Sequence, residues 1–124
     1  MIDHLSVGVK DIAKAGRFYD AALTALGYKR LSEGTGYLGY GDKGPRFWLS
    51  ETERPVPPDE KSGLHVCFAA KRRADVDAFH AAAIKSGGQD NGKPGPRPSY
   101  GDGYYAAFVI DPDGYRIEAY CATK

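Results

Sequence analysis

Three residues in this sequence, His4, His65 and Glu118, are of the types that hold a divalent metal, and a near-repeat of the chain draws attention to them. Two neutral imidazoles and one carboxylate suit a first-row ion such as Fe, Mn, Ni, Co or Zn. Three protein ligands also leave coordination positions open, which a catalytic ion needs and a structural one does not. The repeat is visible when HLSVGVKDIAKAGRFYDAALTALGY from His4 is shifted by 61 positions onto HVCFAAKRRADVDAFHAAAIKSGGQ from His65. Lys10 then falls on Lys71, Phe18 on Phe79, Ala22 on Ala83 and Gly27 on Gly88. A single strand histidine is usually a hydrogen-bonded structural residue. Two at repeat-equivalent positions ask for another explanation.

The elements that must position these side chains follow from pattern. IDHLSVGV alternates and is β-branched, so it reads as a strand. Asp11 is placed to cap a helix running to about residue 26, with Ile12, Ala15, Phe18, Tyr19, Ala22, Leu23 and Leu26 as its buried stripe. Gly27 is placed to end it in a left-handed turn. YKRLSE, TGYLGYG and PRFWLSE read as three further strands, and the proline-rich, charged ETERPVPPDEKS as a linker. The order then repeats: GLHVCFAA as a strand, and a helix over about 74–86 with Val76, Phe79, Ala83 and Ile84 buried. QDNGKPGPRPSYGDG reads as a loop with at most a short strand, and YYAAFVID and YRIEAY as a hairpin around DPDG. The expected fold is α+β, with two tandem βαβββ modules (about 1–51 and 63–122, linker about 52–62) whose sheets form a cup.

A strand's period of two sorts its side chains by face. Leu5, Val7 and Val9 oppose His4, Ser6 and Gly8; Val66 and Phe68 oppose His65 and Cys67; Ile117 and Ala119 oppose Glu118 and Tyr120. Each apolar row belongs under a helix, which leaves the ligand-capable residues on the other face. Ser6, Trp48, Cys67, Tyr105 and Tyr120 are the candidate substrate contacts, and any of Tyr100, Tyr104, Tyr105 and Tyr120 could donate a hydroxyl hydrogen to a bound oxygen. His80, on the second helix, is assigned no chemistry.

Composition excludes other classes. The formal charge of +1 offers no basic patch for nucleic acid. No apolar stretch approaches the roughly 20 residues of a membrane span, and MIDHLSVGV lacks a secretory signal's layout. Two cysteines do not make a disulfide framework, so a cytoplasmic protein with reduced thiols is expected.

The segments IDHLSVGVKDIAKAGRFYDAALTALGY and AAFVIDPDGYRIEAY resemble the vicinal oxygen chelate superfamily, the glyoxalase, bleomycin-resistance and extradiol-dioxygenase group. The resemblance covers essentially the whole chain. It implies a metal held by His4, His65 and Glu118, and a homodimer in which modules of two chains complete each site. It also implies a small-molecule substrate chelated through vicinal oxygens, with lyase, dioxygenase or thiol-transferase chemistry. Matching PRFWLSE to GYRIEAY puts Trp48 where glyoxalase I enzymes carry a fourth, carboxylate or amide ligand, and an indole N–H cannot ligate a metal. Glyoxalase I activity is therefore disfavoured. Trp48 and Ser6 are similar to residues of fosfomycin-resistance thiol transferases, although the loop before Tyr104 differs from theirs. The alternative function is metal-independent sequestration of a small molecule or antibiotic, as in bleomycin-resistance relatives.

Overall fold

A computed structural model describes residues 1–122 of the chain. It contains β1 (Leu5–Val9), α1 (Ile12–Thr24), β2 (Lys29–Gly34), β3 (Tyr37–Gly41) and β4 (Pro45–Glu51). After an irregular stretch come β5 (His65–Ala69), α2 (Arg73–Lys85), β6 (Gln89–Pro96), β7 (Tyr105–Ile110) and β8 (Arg116–Cys121). The strands make two four-stranded mixed sheets, ordered β1-β4-β3-β2 and β5-β8-β7-β6. In each, the first strand lies parallel to the last, as β1 with β4 and β5 with β8. The fold is the expected α+β arrangement, and the two helices stand 61 residues apart at both ends.

Local chemistry explains α1 well. Asp11 Oδ1 accepts the Lys14 amide hydrogen at 3.0 Å, satisfying one of the donors a helix start leaves open. Ala15, Phe18, Tyr19, Ala22 and Leu23 form the buried stripe. Gly27, at φ 89, turns the chain toward β2 in a conformation that costs a residue with a Cβ more. In α2 only Val76, Phe79 and Ala83 are buried. Ile84, expected in the core, is 39% exposed, because it lies a rotation of about 100° beyond Ala83, off the narrow seam that α2 presents.

The stretch expected to be a loop instead holds β6, eight residues long. Its glycines and prolines are tolerated because β6 is an edge strand with one ladder partner, and its register shifts at Gly92 and Gly95 absorb the irregularity.

One core serves both halves. Leu38, Phe47 and Leu49 of the first sheet pack in the same cluster as Val109, Ile117 and Ala119 of the second, with both helices between. Phe47 meets Phe68 edge-on at 5.1 Å, and the Tyr28 hydroxyl donates to the Ala69 carbonyl at 2.6 Å. The DPDG turn is bound to the first half as well. Lys10 N–H donates to Asp113 Oδ1 at 2.9 Å, and the Tyr115 hydroxyl donates to the Gly8 carbonyl at 2.6 Å.

Candidate functional site

The strand register brings the second sheet's candidates onto one face. Cys67 pairs with Glu118, Glu118 with Phe108, and Ala69 and Ala106 flank Tyr120. The apolar alternates Val66, Phe68, Ile117 and Ala119 turn to the core, so His65, Cys67, Glu118 and Tyr120 share the outer face. His65 Nε2 lies 2.7 Å from Glu118 Oε1. An ionised carboxylate only accepts, so the proton of such a contact is carried on Nε2. The other oxygen, Oε2, accepts from the Tyr104 hydroxyl at 2.5 Å. Glu118 is 4% exposed, whereas the His65 side chain is 40% exposed and reaches the solvent side.

Two neighbours tune this pair. Burial, then the Glu118 carboxylate, raises the Tyr104 hydroxyl well above a phenol's ordinary value, so it stays a donor. Packing around the sulfur, then Glu118, pushes the Cys67 thiol up to about 12 even though the residue reaches solvent. At neutral pH Cys67 is a thiol, unsuited to nucleophilic attack.

The structure separates the other candidates. Ser6 pairs with Trp48 across β1 and β4, and both line a shallow cavity on the first sheet with His4 and Tyr37. His4 lies one residue before β1, and its Nδ1 contacts Asp3 Oδ1 at 2.8 Å. Trp48 lies across Gly39, where an added Cβ would come within 2.7 Å of the indole ring. Glu51 points the other way, accepting the Ile12 amide hydrogen at 3.0 Å at the start of α1.

Tyr105 stands on the helix side of its sheet. Its hydroxyl donates to Asp77 Oδ1 at 2.7 Å, and the Arg73 guanidinium lies 4.8 Å above its ring. The tyrosine that reaches Glu118 is Tyr104, stacked on Tyr120 at 4.0 Å. The signal for this was in the alternation: Tyr105 has the parity of buried Ala107 and Val109, and Tyr104 that of Phe108. Phe108, whose ring lies 5.8 Å from that of His65, was missed by the same route. His80 pairs with Asp90 at 2.9 Å and ties α2 to β6.

Among the described residues of one chain, no group of three or more His, Cys, Asp or Glu side chains is placed to hold a metal ion. His65 and Glu118 converge as a nitrogen and an oxygen donor suited to a divalent first-row ion; His4 lines the same cleft as His65 but is not grouped with the pair as a third ligand. The register does support the comparison between halves. Ser6 and Cys67 are 61 residues apart, and their partners are Trp48 and Glu118 respectively, so Trp48 occupies the position in the first half that Glu118 holds in the second.

Paired βαβββ units carrying polar side chains on the open faces of their sheets define a recognisable class. The chain belongs to the Glyoxalase/Bleomycin resistance protein/Dioxygenase superfamily, whose sequence model matches residues 1–119. It is similar to a glyoxalase/bleomycin resistance protein from Albidiferax ferrireducens T118, with 31% identity, 95% of each chain covered and a TM-score of 0.82. It is 28% identical to the protein YqjT of Bacillus subtilis (strain 168), over 93% of this chain and 94% of that one. The fosfomycin resistance protein FosX from Mesorhizobium loti shares the fold, at 17% identity and a TM-score of 0.71, with 99% of this chain and 92% of that one covered.

Proposed function

We propose that the protein is a metal-dependent enzyme acting on a small molecule chelated through vicinal oxygens. His65 and Glu118 of one chain and His4 of a second copy would hold the ion. The observation that carries this reading is the His65–Glu118 contact at 2.7 Å on an open sheet face, with a carboxylate that is otherwise buried. A buried carboxylate is costly unless it is paired or coordinates a metal; here His65 and Tyr104 pair it, which holds it in place at the open face. When bound, a divalent ion would supply Lewis acidity to the substrate oxygens.

The chain's own residues have separate tasks. Tyr104 holds Glu118 through Oε2, which fixes the orientation of Oε1. Trp48 offers no carboxylate at the position equivalent to Glu118, which argues against a glyoxalase I reaction and leaves Ser6, Trp48 and Tyr120 as substrate contacts. A second copy would bring its His4 to the His65–Glu118 pair along the open edges of β1 and β5, each of which has one ladder partner. Cys67 and Cys121 lie on opposite faces of one sheet and cannot bridge each other, which fits the cytoplasmic location we propose. No helix among the described residues is long and apolar enough to cross a membrane.

Metal analysis of the purified protein beside a His65→Ala variant tests the reading. Metal in the first and a large loss in the second is expected; equal, negligible metal in both contradicts it. A cleft of about 600 Å³, lined by Leu5, Phe47, Val66 and Phe68 and also by His4 and His65, gives room for sequestration as the second reading. Tight binding of an aromatic cation by metal-stripped protein would support that one.

A further inference from the structure

Arg97 is held as few surface arginines are. It lies just after β6, half-buried, and its guanidinium carbon is 5.3 Å from the centre of the Phe108 ring. Nη1 donates to the carbonyls of Gly95 at 2.9 Å and Pro96 at 3.4 Å, and Nη2 to that of Lys93 at 2.7 Å. A guanidinium has five N–H donors. The two left over, on the neighbouring nitrogens Nε and Nη2, have no acceptor among the described residues, and no carboxylate there pairs with this charge.

Phe108 fixes where that charge lies. It is the register partner of Glu118, and its ring also meets the ring of His65, so a single aromatic side chain separates the guanidinium from the imidazole. The carbonyl contacts immobilise the cation before any ligand arrives, which removes part of the entropy a flexible side chain would lose on binding. Beyond Glu118, Tyr104 stacks on Tyr120, and Tyr100 meets Tyr104 edge-on at 5.3 Å while remaining 63% exposed. The face therefore combines an aromatic wall, the His65–Glu118 pair and a fixed cation with two donors to spare.

We infer that Arg97 recognises the carboxylate of an aromatic carboxylic acid bound on this face. Two donors on adjacent nitrogens match the two oxygens of a carboxylate. The tyrosines offer flat surfaces for the ring. This specifies the substrate class of the site proposed above and rests on that reading for the site being catalytic, but the anion contact itself needs no metal.

Benzoate and its neutral near-isostere benzamide are the probes, titrated into isotopically labelled protein and followed by NMR, both stripped of metal and metal-loaded. The wild type should prefer benzoate by about tenfold or more, the scale of a charge-assisted pair. In Arg97→Gln the preference should fall to within about twofold while benzamide affinity is unchanged, and Arg97→Lys should retain part of it. No preference in the wild type, a preference that survives Arg97→Gln, or equal weakening of both probes would overturn the inference; the last would make Arg97 only a staple for the bulged strand. An Arg97-dependent preference in protein that binds no metal would support the anion site and reject the metal reading. Normal metal binding with no benzoate preference would do the reverse.

Discussion

Replacing Tyr19 with Phe tests the buried link between the two halves of the fold. Tyr19 is fully buried on α1, and its hydroxyl donates to Asp111 Oδ2 at 2.5 Å. Asp111 is itself 3% exposed, and its Oδ1 accepts the amide hydrogens of Asp113 at 2.9 Å and Tyr115 at 2.8 Å, which shapes the DPDG turn. Burial pushes this carboxyl up to about 6 from 3.8, with the hydrogen bonds opposing the shift and the Asp113 charge adding to it. The substitution removes one oxygen and leaves Oδ2 without its donor. A hydrogen bond to a charged group contributes about 1.5–3 kcal/mol, so a loss of about 2 kcal/mol is expected at pH 8. For a domain of this size that lowers Tm by about 6–10 °C.

The pH dependence carries a sign. Because the folded-state value lies above the unfolded one, protonation of Asp111 favours the fold. That contribution is complete below about 4 and is lost as pH rises through about 6. Losing the Tyr19 donor raises the carboxyl further, so the variant gains more from acid than the wild type does. The gap should shrink to about 1 kcal/mol at pH 5, where a neutral pair is being lost. Urea denaturation at pH 5 and pH 8, followed by circular dichroism, measures both values. A gap that is the same at the two pH values, or absent at pH 8, would refute the reasoning.

Two further substitutions probe the open faces. Tyr104→Phe should leave the fold intact and weaken metal binding by about 10–100-fold, since it removes the group that orients Glu118; competition with a chelator reads this, and unchanged affinity would remove Tyr104 from the site. Gly39→Ala should displace the Trp48 indole, which an added Cβ would meet at 2.7 Å, and shift the emission of the chain's single tryptophan with a loss of about 1–3 kcal/mol. An unchanged spectrum and stability would mean that the ring does not rest there in solution.

What was legible in the sequence was what local physics decides. The Asp11 cap, the α1 stripe, the Gly27 stop and the sorting of His65 and Glu118 onto one face all follow from periods and capping chemistry, and the structure has them. Composition misled at β6, because glycine and proline argue against a strand only when both of its edges must pair. Tyr104 was readable in place of Tyr105 by counting parity from Val109. The partner of Asp111 was not readable, since Tyr19 lies 92 residues away and only tertiary packing joins them. His4 illustrates another limit. Repeat equivalence puts it at the matching point of the other half, but a match within a repeat says nothing about which copies of the chain meet.

The central claim is that one metal site draws on two chains, and variants that each lack one ligand test it most directly. His4→Ala and His65→Ala proteins should each bind negligible metal. Refolded together in equal amounts, half of the dimers would be mixed. Each mixed dimer would carry one intact site, made by His4 of one chain with His65 and Glu118 of the other, so the mixture should recover about a quarter of the wild-type metal. A mixture that stays as metal-free as its components, beside a wild type that binds one ion per chain, would contradict the account.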